Sequence, residues 1–177
     1  MEPIHETTIH RVDIPEAGIE KLFNVLAGLL LEPRKHPLGY TSAYIEMEER
    51  GELSITFEER HDDEWEKKIA SKATQELRFT LSLVPSGEKA DLVVKIGTRS
   101  KMLAKMLKGN AIVKELEKAV FPMFRERANL AVAACKKDAS IEQLKNLPSS
   151  GCIKCNGDAT HDEFWTQQGH CNNCWGG

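Results

Sequence analysis

Cys152 and Cys155 form one C-x-x-C pair, Cys171 and Cys174 form a second, and fifteen residues lie between them. A C-x-x-C turn presents two thiolates to one side of an ion. Two such turns complete a tetrahedral four-sulfur shell, the usual closed structural site for zinc, with iron or a redox dithiol as the alternatives. A closed shell leaves no position for an activated water, and thiolates held by a metal are not available for disulfide exchange. The spacing therefore predicts a structural zinc ion rather than a catalytic one. It also makes the last ~25 residues a module whose folding depends on metal.

Both turns place glycine two residues past the second cysteine, at Gly157 and Gly176. Without a side chain there, backbone amides can turn toward the sulfurs and offset their charge. This pattern resembles the C-x-x-C-x-G-x-G turns of the DnaJ-type zinc module, and the segment Phe164 to Gln168 resembles that module's hairpin. Ala159 stands where the first turn of that module has its last glycine. His36-Pro37 is followed by Leu38, so no J-domain signature accompanies the resemblance. The resemblance implies polypeptide binding; a generic zinc ribbon is the other reading. Phe164, Trp165 and Trp175 lie beside the ligands. They are expected to form a surface for a protein partner, and shielding of the metal is the alternative. His161 and His170 are expected outside the ligand set, because His170 adjoins Cys171 and neighbouring residues seldom reach one ion from a tight turn.

No other segment carries a catalytic signature. There is no nucleophile elbow, P-loop or dinucleotide glycine fingerprint. Cys135, near the end of a long helical pattern, reads as a small buried hydrophobe. His61-Asp62-Asp63-Glu64 reads as a solvated turn, since consecutive side chains there diverge. Charge is uneven. Ten acids face two bases from Glu46 to Glu66, and seven bases face two acids from Lys95 to Lys118. Within the basic run, Lys101, Lys105 and Lys108 share one helical face and Met102, Leu103, Met106 and Leu107 the other. That is the pattern of an ordinary surface helix with its lysines in water. Nucleic-acid binding through the ribbon and this helix is an alternative, although interleaved aromatics are missing. Contact with phospholipid heads is another.

The elements that must carry these residues follow from periodicity. Thr7 to Ile14 alternates as a strand. Asp13, Pro15 and Glu16 resemble the start of a capped helix that runs to about Leu31. Thr41 to Met47 and Leu53 to Phe57 read as a hairpin, and Trp65 to Ala73 is compatible with a strand. Leu77 to Leu83 and Leu92 to Ile96 form another strand pair around Pro85-Ser86-Gly87. After a short helix from Ser100, a long helix is expected from Asn110 to Lys137, kinked at Pro122. The fold class is α+β: an antiparallel sheet packed on a long C-terminal helix, plus a small zinc-ribbon-like hairpin. This order resembles the helix-grip fold of START-like (SRPBCC) proteins over about residues 5–137, which implies a cavity able to hold a hydrophobic small molecule or lipid. The expected division is a domain over 1–137, a linker over 138–151 and the zinc module over 152–177.

At 177 residues, 41% apolar and a net charge of −3, the chain can bury a core, and its overall charge recruits neither nucleic acid nor membrane. Met1 to Arg11 has no apolar run of a secretory signal, and no stretch is long enough for a transmembrane segment. A cytoplasmic location is expected, in keeping with cysteines at metal-ligand spacing. The functional expectation is a non-enzymatic zinc-binding adaptor for a protein partner. Its main rival is a carrier or sensor of a hydrophobic small molecule.

Overall fold

The computed structural model describes residues 2–35, 41–61, 77–107, 114, 116–118, 120–136 and 140–175. Six strands make one antiparallel sheet: β1 (Glu2–Asp13), β2 (Arg34–Lys35), β3 (Thr41–Arg50), β4 (Ser54–His61), β5 (Leu77–Ser86) and β6 (Lys89–Thr98), in the order β1-β6-β5-β4-β3-β2. Strand periodicity sorts the side chains. Leu77, Phe79, Leu81 and Leu83 of β5 are buried with Leu92, Val94 and Ile96 opposite them on β6, and with Ile55 and Phe57 on β4. Gly87, at φ 65°, takes the first place of the two-residue turn between β5 and β6, a conformation that suits glycine.

The other face of the sheet explains the acidic run. Glu46 and Glu58 are cross-strand partners, and like charges there would repel. Arg60 lies 2.6 Å from Glu46 and 2.8 Å from Glu58, while Arg78 lies 2.8 Å from Glu58 and 2.6 Å from Glu48. The carboxylates are thus matched by arginines across the strands. His61-Asp62-Asp63-Glu64, apart from the backbone of His61, and the expected strand over 65–73 lie outside the described residues.

Helix α1 (Ile19–Leu30) buries Leu22, Phe23, Leu26, Leu29 and Leu30. The capping box expected at Asp13 and Glu16 does not form. Pro15 accepts a backbone hydrogen bond from Gly18, and Gly18 caps the helix at φ 96° without a side-chain bond. Helix α2 (Lys101–Leu107) packs on β1 and β6. It turns Ala104 inward and leaves Met102 and Met106 exposed, which reverses the expectation for the two methionines.

Helix α3 (Phe121–Lys136) crosses the buried face of the sheet, with Phe124 edge-on to Phe57 at 5.7 Å and to Phe79 at 5.9 Å. It is shorter than expected. Residues 116–118 are helical, Val120 is a turn, and a new helix begins at Phe121. Pro122 therefore sits in a first turn, where its missing N–H breaks no ladder bond, and not inside a kinked helix. Residues 108–113 lie outside the described residues. No helix among the described residues is long and apolar enough to cross a membrane.

The described part of the expected linker, residues 140–151, contains a helix. Ser140 and Gln143 form a capping box that starts α4 (Ile141–Lys145). Leu144 belongs to the main core, and so do Phe164 and Trp165 of the tail. The tail and the sheet domain thus share one core.

Candidate metal centre

The first cysteine turn is closed from both ends: Asn156 N–H donates to Cys152 O and Cys152 N–H to Gly157 O, both at 2.9 Å. Gly157 N–H also donates to Cys155 Sγ at 3.2 Å, the amide-to-sulfur contact that the glycine spacing predicts. A Cβ on Gly157 would lie 3.0 Å from that sulfur. The second turn is the short helix α6 (Asn172–Trp175), in which Trp175 N–H donates to Cys171 O at 2.9 Å. The two turns are tied by Ile153 N–H to Gly169 O at 2.9 Å. Gly169 has φ 83°, and a Cβ there would lie 3.1 Å from Ile153 Cγ2. Both its backbone angle and this close approach require glycine.

Between the pairs runs α5 (His161–Thr166), begun by a capping box of Thr160 and Glu163. The segment is a helix, not the expected hairpin. Outside the sheet, the described tail makes a single β-bridge, Pro148 to Thr160.

These turns bring the sulfurs of Cys152, Cys155, Cys171 and Cys174 within 4.8 Å of one another, and Cys155 Sγ lies 3.7 Å from Cys171 Sγ. Zinc–sulfur bonds of ~2.3 Å give a tetrahedron with edges of about 3.8 Å, so this pair already has the separation the ion requires. All four are free cysteines. Their donor set fits a soft or borderline cation such as zinc. Burial opposes ionisation of Cys152, yet hydrogen bonds from the backbones of Cys171, Cys155 and Lys154 outweigh it and bring the thiol down to about 6. Cys174 is pushed up to about 12, chiefly by hydrogen bonds with Cys155 and Cys171. A divalent cation bound by the quartet would displace the thiol protons. Cys155 is the exposed member, bordering a cleft of about 590 Å³ walled in part by Asp158 and Glu163. Cys135 stands apart, half-buried, its thiol raised by burial.

Neither histidine joins the sulfur group. His170 Nδ1 lies 3.1 Å from Gln167 O, and its ring faces Trp175 at 6.0 Å. His161 Nδ1 lies 3.1 Å from Glu126 Oε2 on α3.

Phe164 and Trp165 are only 1% and 3% exposed and lie in the main core, so the expectation that they line a partner surface is corrected. Trp165 Nε1–H donates to Glu32 O at 3.3 Å, and the guanidinium carbons of Arg127 and Arg34 stand 4.1 and 4.9 Å from its ring centre. Trp175 alone of the three aromatics is half-exposed.

A buried polar cluster beneath α5 escaped the motif reading. Glu126 accepts a hydrogen bond from Ser150 N–H at 3.2 Å. Burial pushes its carboxyl up, but His161 and Ser150 together hold it below the usual range. Arg127 is 2% exposed, and none of its side-chain nitrogens has a hydrogen-bond partner. Burial lowers its pKa to about 10, against the pull of Glu32, whose carboxylate is 3.9 Å away. The available signal was the position of Arg127 on the apolar stripe of its helix, where a charged residue must be buried or the stripe broken. No protein-family model matches the chain, and neither the curated proteins nor the solved structures contain a match to it.

Proposed function

We propose that the chain is a zinc-binding protein that works by binding rather than by catalysis, an adaptor whose metal fixes the C-terminal segment against the α+β domain. The observation that carries this reading is the convergence of four free cysteine sulfurs within 4.8 Å. Four protein ligands close the coordination shell, which favours a structural ion. The protein partner is assigned to the surface around Trp175. His170 packs beside that ring, and His170, Ile153, Lys154 and Pro122 line a groove of about 420 Å³. Phe164 and Trp165 act from inside, anchoring the module.

A helix-grip-like architecture is part of the proposal, supported by the pairing of β1 with the last strand and by α3 lying across the sheet. The carrier reading is less favoured, because the rings of Phe57, Phe79 and Phe124 fill the space under α3. The test is affinity purification of the full chain from its own cell extract beside Trp175→Ala and Cys155→Ser/Cys174→Ser. A protein recovered with the first and missing with both variants is expected; equal recovery with all three contradicts the adaptor role.

A further inference from the structure

Helix α2 has an outer face that lies exposed. Met102 and Met106 are each 73% exposed, the most exposed large hydrophobic residues among those described. They are four residues apart, so their thioethers project side by side from one strip of the helix. Lys101 and Lys105 are exposed, have the same spacing, and flank that strip. Neither lysine makes an ion pair among the described residues, and α2 contains no acid. Of the other charges in this stretch, Arg99 pairs with Glu48 at 3.2 Å and Glu117 pairs with Arg125. Lys95 stands opposite Glu6 across the β1–β6 ladder. Lys101 and Lys105 are thus uncommitted among the described residues, and exposed Lys114 and Lys118 follow in the chain.

An ordinary amphipathic surface helix puts its methionines inward and its lysines in water. Here Ala104 is the buried one among the described side chains of α2, and both methionines stand out with the lysines. Exposed apolar side chains beside unpaired ammonium groups match an interface that is apolar just below an anionic layer. We propose that α2 docks the protein peripherally on an anionic phospholipid bilayer. Lys101 and Lys105 meet the headgroup phosphates, and Met102 and Met106 reach past them into the acyl boundary. Both methionines project into solvent, which suits insertion into a planar bilayer. The helix carries no aromatic side chain on which bases could stack. The contact is reversible, because one short apolar strip with a few charges does not anchor a protein permanently.

Co-sedimentation of the full chain with vesicles tests this. The protein is expected to pellet with phosphatidylcholine vesicles containing phosphatidylserine, to stay in solution with phosphatidylcholine alone, and to be released by high salt. Met102→Ser/Met106→Ser is expected to cut partitioning about tenfold at unchanged charge. Lys101→Glu/Lys105→Glu is expected to cut it by more than about tenfold. Since these side chains are exposed, both variants should keep the wild-type melting temperature and metal content. Met47→Ser, exposed on another element, should bind as wild type. The proposal is overturned if the protein ignores phosphatidylserine vesicles, if it binds a glutamate-rich amphipathic peptide in their place, or if the methionine pair can be replaced without loss. The proposal stands apart from the metal reading, because none of the four cysteines lies in α2 or in the strands on which it packs.

Discussion

Gly157 is the residue on which the geometry of the first cysteine turn depends most directly. A methyl group there would press on Cys155 Sγ from 3.0 Å, against a sulfur that a bound ion would hold in place. Gly157→Ala is expected to weaken metal retention by about 1 kcal/mol, or roughly five- to tenfold in a chelator competition. Arg127 gives a prediction of the opposite sign. Its guanidinium is buried without hydrogen bonds, so its charge is desolvated with little return. Arg127→Met keeps the stacking volume over Trp165 and is expected to leave stability unchanged or raise it by up to ~2 kcal/mol. Arg127→Ala leaves a void and should lower it by about 2–4 kcal/mol in denaturant unfolding. Glu126 sets a pH dependence. Its folded carboxyl titrates below its unfolded value of ~4.3, so its stabilisation is fully present above that value and is lost as pH falls through the folded one. Glu126→Gln should therefore flatten the loss of melting temperature on acidification relative to wild type. The cysteine quartet was legible in spacing alone, because ligand geometry is local. The Glu126–His161 contact was not, because it joins residues brought together only by the packing of α5 on α3.

Among the elements, α3 and α5 do most to position the site. Pro122 lies in the first turn of α3, so Pro122→Ala should change stability by less than about 1 kcal/mol. A mid-helix proline would cost ~3 kcal/mol or more. Thr160 begins α5 through a hydrogen bond from Glu163 N–H at 3.1 Å. Thr160→Ala should cost about 1 kcal/mol and loosen the segment that separates the two cysteine pairs. The strands β5 and β6 were readable because alternation survives intact in residues 77–83 and 92–96. The break before α3 was not, since the apolar stripe continues through Val120 while the backbone does not. Nor was the outward turn of Met102 and Met106. Helical spacing assigns them to a common side but not to the side that faces the sheet, and the small Ala104 took that place. The aromatics beside the cysteines misled for a related reason: proximity in sequence to a metal site says nothing of which way a helix presents its residues.

At the scale of the whole molecule, the segment between the cysteine pairs and the sheet domain share one core. Phe164 and Trp165 are core residues of the main domain, and Lys145 of α4 reaches Glu32 at 2.7 Å beside Trp165. Removing the ion should therefore destabilise more than the tail. Thermal unfolding of the loaded protein is expected to be a single transition that moves to lower temperature with chelator, with Trp165 exposed to quenchers earlier than in the loaded state. Two separate transitions, with the main one unmoved, would mean an independent tail. Because the whole account rests on the cation, X-ray absorption at the zinc edge of the purified full chain tests it most directly, together with the metal stoichiometry. One zinc per chain with four sulfur neighbours at ~2.3 Å is predicted. A metal-free protein, or a zinc ion with fewer than four sulfurs, would contradict it.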